Sequence, residues 1–283
     1  MKYNQSQKES MNLLYITNDV TVAKAADAAG VDEIFIDLEI YGKEDRQFGR
    51  NTVVSRHEID DIPIIKSAVS FASVLVRCNP VGDWTADEID KIITAGADTV
   101  MLPFFKNEKE VTHFMDCVAG RARTCLLVET IESLENLDRI LSVEGVKRIH
   151  IGLNDLHIAF KSSFMFEPFI NGKIEKACNI ARQYGVDFGI GGIAKIGSSL
   201  KPSPECLLAE HMRLGSSSVI LSRSFLDVND TSDSDDISFI FAARVSAIRE
   251  FEVKLKTWGK DMFVENSTIL IQDIKKVVRD INQ

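Results

Sequence analysis

Eight short apolar segments alternate along the chain with segments in which apolar residues recur at helical spacing. A short apolar run is typical of a strand buried on both faces, and the helical spacing predicts a helix with one face on the core. Eight such repeats predict a parallel sheet closed into a (β/α)8 TIM barrel, a fold of the α/β class. The predicted strands are 13–17, 33–39, 73–79, 99–103, 124–130, 148–155, 187–194 and 217–223, and the predicted helices include 20–29, 85–95, 108–118, 134–143, 174–184 and 204–214.

The chain divides by composition into a barrel and a helical end. We predict a barrel domain over 1–226, an acidic loop over 227–236, and C-terminal helices over 237–283, one of them to about residue 256 and one after Ser267. An open doubly wound sheet is the alternative fold, but its usual glycine-rich loop is missing after the first strand. The last helix carries an apolar stripe for its own barrel or for a neighbouring subunit of a homo-oligomer. The stripe consists of Leu270, Ile274, Val277, Val278 and Ile281.

Composition narrows the class of protein. The 283 residues are 45% hydrophobic with a net charge of -9, which argues against a nucleic-acid partner because phosphate contacts need a basic face. Five scattered cysteines without a C-x-x-C pair indicate reduced thiols rather than a disulfide framework. No apolar run approaches the roughly 20 residues that cross a bilayer. We therefore expect a cytoplasmic protein with no membrane contact.

Three ionisable residues stand at the predicted ends of strands: Arg77, Glu129 and Asp155. The carboxyl ends of barrel strands form the face at which such barrels carry out their chemistry. Two carboxylates supply hard oxygen ligands for Mg2+ or Mn2+, and the planar fork of Arg77 suits the carboxylate of a small 2-oxo acid. Taken singly, either carboxylate could instead cap the helix that follows it. The three together favour a metal and substrate site.

Two further groups lie near that predicted rim. Asp37 and Glu39 end the second strand, where they could orient Arg77, bind metal-bound water, or form a simple ion pair with the arginine. The long polar segment 40–61 follows them, and loops of that length inside compact domains are often covers of binding sites.

At this point the sequence resembles the HpcH/HpaI aldolase and citrate lyase beta-subunit family. The resemblance runs in order from about residue 34 to about residue 223 and is most specific between Glu129 and Asp155. It rests on Phe35-Ile36-Asp37-Leu38-Glu39, Val76-Arg77-Cys78-Asn79-Pro80, Gly96-Ala97-Asp98-Thr99-Val100-Met101-Leu102-Pro103, Val128-Glu129-Thr130 and Ile151-Gly152-Leu153-Asn154-Asp155-Leu156.

The resemblance implies a pyruvate-type (β/α)8 barrel and a divalent-metal-dependent carbon-carbon lyase. Glu129 and Asp155 match the metal ligands of the family, and Arg77 matches the arginine that holds the pyruvate or oxaloacetate oxygens. The backbone from Gly152 through Asn154 to Asp155 matches the segment that binds the substrate carboxylate. The metal would polarise the 2-oxo group and stabilise an enolate.

Three positions depart from the family pattern. Ile40 stands where the pyruvate-aldolase branch has a histidine that serves as general base and where the citrate lyase branch has an acidic residue. Leu127 replaces a glutamine two residues before the metal glutamate, and Leu153 replaces a proline. The metal and carboxylate half of the site is therefore retained, whereas the half that transfers protons is altered.

Another residue must then supply the base, or the reaction differs. His57 is the first candidate because imidazole titrates near neutral pH, and Lys43 and His157 follow. Lys43 is also a candidate for binding the substrate. Each of them alone has an ordinary surface role as its alternative.

Glycines and serines near the last two strands, in 189–195 and 222–224, offer a second anion site. Loops seven and eight of such barrels often bind phosphate, which would suit a phosphorylated substrate. Close packing explains a glycine cluster equally simply and is the favoured interpretation. Two functions compete with the lyase: phosphoenolpyruvate-type keto-acid chemistry on the same barrel, and a keto-acid-binding protein without turnover.

Overall fold

The computed structural model describes residues 10–41, 56–226 and 234–283. Eight parallel strands form a closed barrel in sequence order, with β1 paired to β8. The predicted (β/α)8 barrel is therefore confirmed. The strands are β1 (Asn12–Ile16), β2 (Glu33–Asp37), β3 (Ser73–Arg77), β4 (Thr99–Leu102), β5 (Arg123–Val128), β6 (Arg148–Ile151), β7 (Asp187–Ile193) and β8 (Ser218–Leu221).

Helices surround the barrel, and short 3-10 helices at Glu167–Phe169 and Arg223–Phe225 complete the described elements. Three predicted helices, 20–29, 108–118 and 204–214, have the observed bounds, whereas the predicted helix 134–143 is replaced by two short helices that meet at Asn136. Over the described ranges, no helix combines the length and the apolar character needed to cross a membrane. The helices are α1 (Val20–Ala29), α2 (Asp61–Ala68), α3 (Thr85–Thr94), α4 (Glu108–Val118), α5 (Ile131–Glu135), α6 (Leu137–Leu141), α7 (Leu153–Ala159), α8 (Lys173–Tyr184), α9 (Pro204–Leu214), α10 (Ser234–Leu255) and α11 (Lys260–Ile281).

The sixth strand is shorter than the sequence predicts. The prediction of a strand over 148–155 is wrong, because β6 ends at Ile151 and α7 begins at Leu153. Leu153 and Leu156 are both buried, and their spacing of three places them on the same face of the helix. Asp155 therefore lies in the first turn of a helix and not at the end of a strand.

Alternate strand residues point into the barrel. Cross-strand pairing puts Asp37 beside Arg77 and Leu127 beside His150, so the members of each pair face the same side of the sheet. At the amino end, Arg148 binds Glu33 through two hydrogen bonds of 2.8 and 2.6 Å. A cluster of buried apolar side chains fills the barrel between this ion pair and the carboxyl-terminal end of the strands. It consists of Leu14, Phe35, Leu75, Met101, Cys125 and Leu127.

The C-terminal helices pack on the barrel of their own chain. In α10, Glu252 accepts a 2.9 Å hydrogen bond from the amide of Met11, just before β1. In α11, Leu270 and Ile274 are fully buried, and Asn266 donates to the carbonyl of Cys206 in α9 at 3.0 Å.

The observed bounds of these two helices differ from the predicted ones. Helix α11 begins at Lys260, before the predicted start after Ser267, and α10 begins at Ser234, inside the segment predicted as an acidic loop. The domain boundaries remain a prediction, and residues 227–233 lie outside the described residues.

The glycine-rich segment lies within β7. A Cβ atom on Gly189 would lie 2.3 Å from Oγ of Ser218 and 2.4 Å from Nδ1 of His150, and one on Gly192 would lie 2.9 Å from the carbonyl oxygen of Ile220. Contacts this short leave no room for a side chain, so packing explains these glycines. All five cysteines are free thiols.

Two buried histidines make stability depend on pH. Burial lowers the pKa of His150 to about 4 and that of His211 to about 3, from an ordinary value of 6.5. Both rings stay neutral in the folded protein while the unfolded chain takes up protons below pH 6.5. The free energy of unfolding should therefore fall as pH drops from 6.5 towards 4, by at most about 1.4 kcal/mol per pH unit for each histidine.

Urea unfolding at pH 7.5, 6.5 and 5.5 measures this slope. His211→Gln should remove its own share of the slope, whereas His113→Gln, at an exposed site on α4, should leave the slope unchanged. Equal slopes in the parent protein and His211→Gln would contradict the assignment.

Candidate functional site

Arg77 lies at the carboxyl-terminal mouth of the barrel, bound to two acidic residues. It ends β3 in register with Asp37, the last residue of β2. Its Nε and Nη2 donate to the two carboxylate oxygens of Asp37 at 2.8 and 2.7 Å, and Nη1 lies 3.5 Å from Oε2 of Glu39. Both carboxylate side chains are 2% exposed. The ion pair predicted as one role of Asp37 and Glu39 is therefore observed.

This environment keeps Arg77 charged. Burial works to lower the pKa of the guanidinium, but Asp37 and then Glu39 outweigh it and raise that pKa well above its ordinary value. A guanidinium has five N–H groups, and Asp37 accepts from two of them. The Nε edge of Arg77 is thus occupied by Asp37.

Glu129 follows β5 directly and lies near this arginine. Its Oε1 accepts a 3.0 Å hydrogen bond from the amide of Phe104, its side chain is buried, and its charge contributes to the raised pKa of Arg77. Phe104 has a positive φ of 50°, which is unusual for a residue with a side chain. The loop after β4 is therefore bent so that its backbone binds the Glu129 carboxylate.

Gly152 makes room for Glu129 at the start of α7. A Cβ atom at position 152 would lie 2.9 Å from Cβ of Glu129 and 3.0 Å from its Oε2. The predicted substrate-binding segment therefore begins in contact with one predicted metal ligand. Asp155 follows in the first turn of α7 with its side chain buried, and Asn154 beside it is half-buried.

Gly152→Ala should consequently disturb this part of the mouth. The added methyl group overlaps Glu129, and forced overpacking of this kind costs roughly 1–3 kcal/mol. We expect a lower midpoint in urea unfolding. Gly259→Ala is the matched control, because a Cβ atom there meets nothing within 4 Å and φ is -80°. Equal midpoints for the two variants would contradict the close approach of Gly152 to Glu129.

The residues present fit a divalent cation in part. Glu129 and Asp155 offer carboxylate oxygens, which Mg2+ and Mn2+ prefer, and the absence of a side chain at Gly152 keeps space beside Glu129 Oε2. Over the described ranges, no group of three or more His, Cys, Asp or Glu side chains is arranged to hold a metal. Two protein carboxylates with water and substrate as the remaining ligands is a usual arrangement for Mg2+.

His57 is bound to the last residue of β2. Its Nδ1 accepts a 3.0 Å hydrogen bond from the backbone amide of Asp37, so the proton of the neutral ring is on Nε2. The ring lines a cavity of about 440 Å3 together with Leu38, Ile40 and Trp84. Neither Arg77 nor Glu129 lines this cavity. Lys43 lies outside the described residues.

Asn79 and Glu88 are two polar residues near this mouth for which the sequence pattern predicts no role. Asn79 stands two residues after Arg77. The side-chain oxygen of Asn79, Oδ1, accepts hydrogen bonds from the backbone amides of Ile40 and Tyr41 at 2.9 and 3.0 Å. Its Nδ2 donates to Glu88 in α3 at 2.6 Å. The available signal was an asparagine directly after a buried strand on the functional face.

The fold and the mouth define a (β/α)8-barrel protein whose candidate site lies on the face at which barrel enzymes act. Residues 12–167 match the family described as HpcH/HpaI aldolase/citrate lyase. This match covers more than half of the 283 residues, and the chain belongs to that family. The predicted resemblance is confirmed, and aldolases and citrate lyases are both lyases.

Solved structures share the fold at low sequence identity. An HpcH/HpaI aldolase from Desulfitobacterium hafniense is 16% identical with a TM-score of 0.57, covering 76% of this chain and 86% of its own. A family protein from Burkholderia cenocepacia is 15% identical with a TM-score of 0.58, covering 86% and 95%. Citrate synthase SbnG is 15% identical with a TM-score of 0.56, covering 85% and 94%. No curated protein sequence matches the chain significantly.

Proposed function

We propose that the protein is a Mg2+- or Mn2+-dependent carbon-carbon lyase that acts on a 2-oxo acid or a related carboxylic substrate through an enolate. The observation that carries the proposal is the charged mouth of the barrel, where Arg77 is fixed by Asp37 and lies close enough to Glu129 for their charges to interact. A fixed cation beside buried carboxylates suits a small anion that shares a divalent ion with the protein.

The chain's own residues would divide the work as follows. Glu129 and Asp155 would hold the cation, which when bound supplies Lewis-acid polarisation of the 2-oxo group. Arg77 would bind the substrate carboxylate through its Nη1 and Nη2 edge while Asp37 and Glu39 orient it. Burial of these groups excludes water and strengthens their electrostatic interactions.

Proton transfer needs a group other than Ile40, which is 51% exposed at the position of the family base. The hydrogen bond from Asp37 leaves the Nε2 of neutral His57 as a donor, which supports a role in fixing the Asp37 backbone more than a role as base. His57, Glu39 and Lys43 remain the candidate groups for proton transfer and substrate contact.

Binding and turnover can be tested in one series. Calorimetry with oxalate, an enolate mimic, should show binding that requires Mg2+ or Mn2+. Proton NMR should then show pyruvate released from oxaloacetate faster than by the same metal without protein. A protein that binds none of oxalate, pyruvate, oxaloacetate and phosphoenolpyruvate with Mg2+ present would refute the proposal.

A keto-acid-binding protein without turnover is the second candidate, and Ile40 in place of the family base favours it. It predicts metal-dependent binding of pyruvate or oxalate with no product by NMR. A phosphoenolpyruvate-type reaction on the same mouth would instead appear as consumption of phosphoenolpyruvate. Assembly as a homo-oligomer and location in the cytoplasm remain predictions.

A further inference from the structure

Asn79 joins three parts of the mouth through its side chain. Asn79 lies two residues after the end of β3, its Oδ1 accepts from the amides of Ile40 and Tyr41, and its Nδ2 donates to Glu88 at 2.6 Å. Asn79 is 6% exposed, so these bonds are partly shielded from water. The chain directly after Glu39 is therefore tied to Asn79, two residues after Arg77.

Glu88 determines which way the amide of Asn79 points. A carboxylate only accepts hydrogen bonds, so the NH2 group of Asn79 must face Glu88 and its carbonyl oxygen must face the two backbone amides. The backbone amide of Asn79 also donates to both oxygens of Glu88 at 3.2 Å. Helix α3 thus holds Asn79 in the orientation that binds Ile40 and Tyr41.

We infer that Asn79, oriented by Glu88, is a positioning residue that holds Glu39 against Arg77 and so sets the substrate-binding edge of the guanidinium. Glu39 immediately precedes Ile40, and its Oε2 lies 3.5 Å from Nη1 of Arg77. The amide of Glu39 itself donates to Oδ1 of Asp37 at 3.2 Å, so loss of the Asn79 contacts releases the backbone on the other side of Glu39, at Ile40 and Tyr41. The consequence for ligand binding rests on the proposed function, whereas the consequence for Arg77 itself does not.

Other charged groups surround the clamp formed by Asn79 and Glu88. The cavity beside it is lined by His57, Glu58, Asp60, Asp87, Glu88 and Lys91, and Asp87 and Lys91 form an ion pair at 2.7 Å. Cys78 is buried next to Asn79, and burial and then the charge of Glu88 raise the pKa of its thiol. The oxalate affinity of a variant is therefore expressed as a ratio to the affinity of the parent protein at the same pH.

The chain contains a matched control for Asn79. Asn107, at the start of α4, accepts from the amides of Lys109 and Glu110 at 3.0 and 3.1 Å and donates to the Glu110 carboxylate at 3.0 Å. Its side-chain hydrogen-bond pattern is the same, but its partners lie in the first turn of α4 and not next to Glu39. Asn79→Ala and Asn107→Ala therefore remove equivalent hydrogen bonds at the two places.

The first measurement needs no ligand. The Nε–H signal of Arg77 in a proton-nitrogen NMR spectrum, assigned with Arg77→Lys, should shift and exchange faster with water in Asn79→Ala. It should not change in Asn107→Ala, and the signal of Arg148, which makes two hydrogen bonds to Glu33 at the opposite end of the barrel, should not change in either variant. An unchanged Arg77 signal in Asn79→Ala overturns the inference.

The second measurement is the affinity for oxalate with Mg2+. Asn79→Ala should bind about tenfold more weakly than the parent, the effect of about one hydrogen bond, while Asn107→Ala binds as the parent does. Equal affinities for Asn79→Ala and the parent overturn the inference. Failure of the parent to bind oxalate refutes the proposed function instead, and the NMR result then decides the inference alone.

Asn79→Asp tests the role of Glu88. At pH 5.5 the introduced carboxyl group can share a proton with Glu88, which preserves the clamp and should restore binding to within about twofold of the parent. At pH 8.5 both carboxylates are ionised and repel each other, so binding relative to the parent should fall again. No recovery at pH 5.5 would show that Asn79 acts only by packing, which contradicts the inference.

Discussion

Replacing Glu129 by glutamine is expected to abolish metal-dependent binding of oxalate and any pyruvate-forming activity. Glutamine keeps the size of the side chain and the acceptor for the Phe104 amide, so the bend after β4 should remain. What is lost is the negative charge, one of two predicted protein charges on the cation. Divalent ions with few protein ligands depend on each carboxylate, and we expect a loss of at least about a hundredfold in affinity.

Calorimetry with Mn2+ and oxalate, and NMR with Mg2+ and oxaloacetate, measure the two effects. Glu132→Gln is the control. Glu132 is exposed in α5, three residues after Glu129, so this substitution removes the same charge without changing the mouth. Undiminished metal-dependent binding in Glu129→Gln would remove Glu129 from the site.

Replacing Arg77 by lysine is expected to have two effects: it should destabilise the protein, and it should weaken binding of the substrate carboxylate. An ammonium group cannot reproduce the two bonds that Nε and Nη2 make to Asp37, and it offers no planar edge to a substrate. Lysine keeps one positive charge, but buried Asp37 loses the two hydrogen bonds from Nε and Nη2. Leaving buried acceptors unsatisfied costs about 1–3 kcal/mol, and we expect affinity for oxalate to drop by about a hundredfold or more.

Arg148→Lys separates the two effects of that change. Arg148 also makes two hydrogen bonds to one carboxylate, from Nη1 and Nη2 to Glu33 at the opposite end of the barrel interior, so Arg148→Lys should lower the midpoint of urea unfolding by a similar amount. Oxalate binding per folded molecule should survive in Arg148→Lys and fail in Arg77→Lys. Equal binding in both variants would contradict the assignment of Arg77 to the substrate.

Most of the fold could be predicted because most strands contain a short apolar run and most helices repeat their apolar residues at a fixed spacing. The errors fall where two patterns overlap. Leu153 continues the apolar run of β6, so the sequence alone did not reveal that the chain turns into a helix at Gly152. The first turns of α11, from Lys260 to Asn266, carry few apolar residues on one face, so the start of that helix was missed.

The candidate site was predictable only in part. Arg77 and Glu129 stand at strand ends that the sequence shows, and register in a closed barrel brings Arg77 beside Asp37. The bond from the Asp37 amide to His57 and the clamp made by Asn79 and Glu88 depend on how loops return over the rim. Local periodicity contains no information about such returns. The neutral state of His150 likewise follows from burial inside the closed barrel and not from its neighbours in sequence.

The hydrogen bond that joins α10 to the residue before β1 has a consequence for biosynthesis. The hydrogen bond between Met11 and Glu252 spans 241 positions of the chain. Strand β1 also pairs with β8, the last strand to be synthesised. During translation the first strand therefore leaves the ribosome long before either partner exists, with one edge open. Until β8 has emerged, a nascent chain of this protein should depend on chaperones to keep that edge from pairing with other chains.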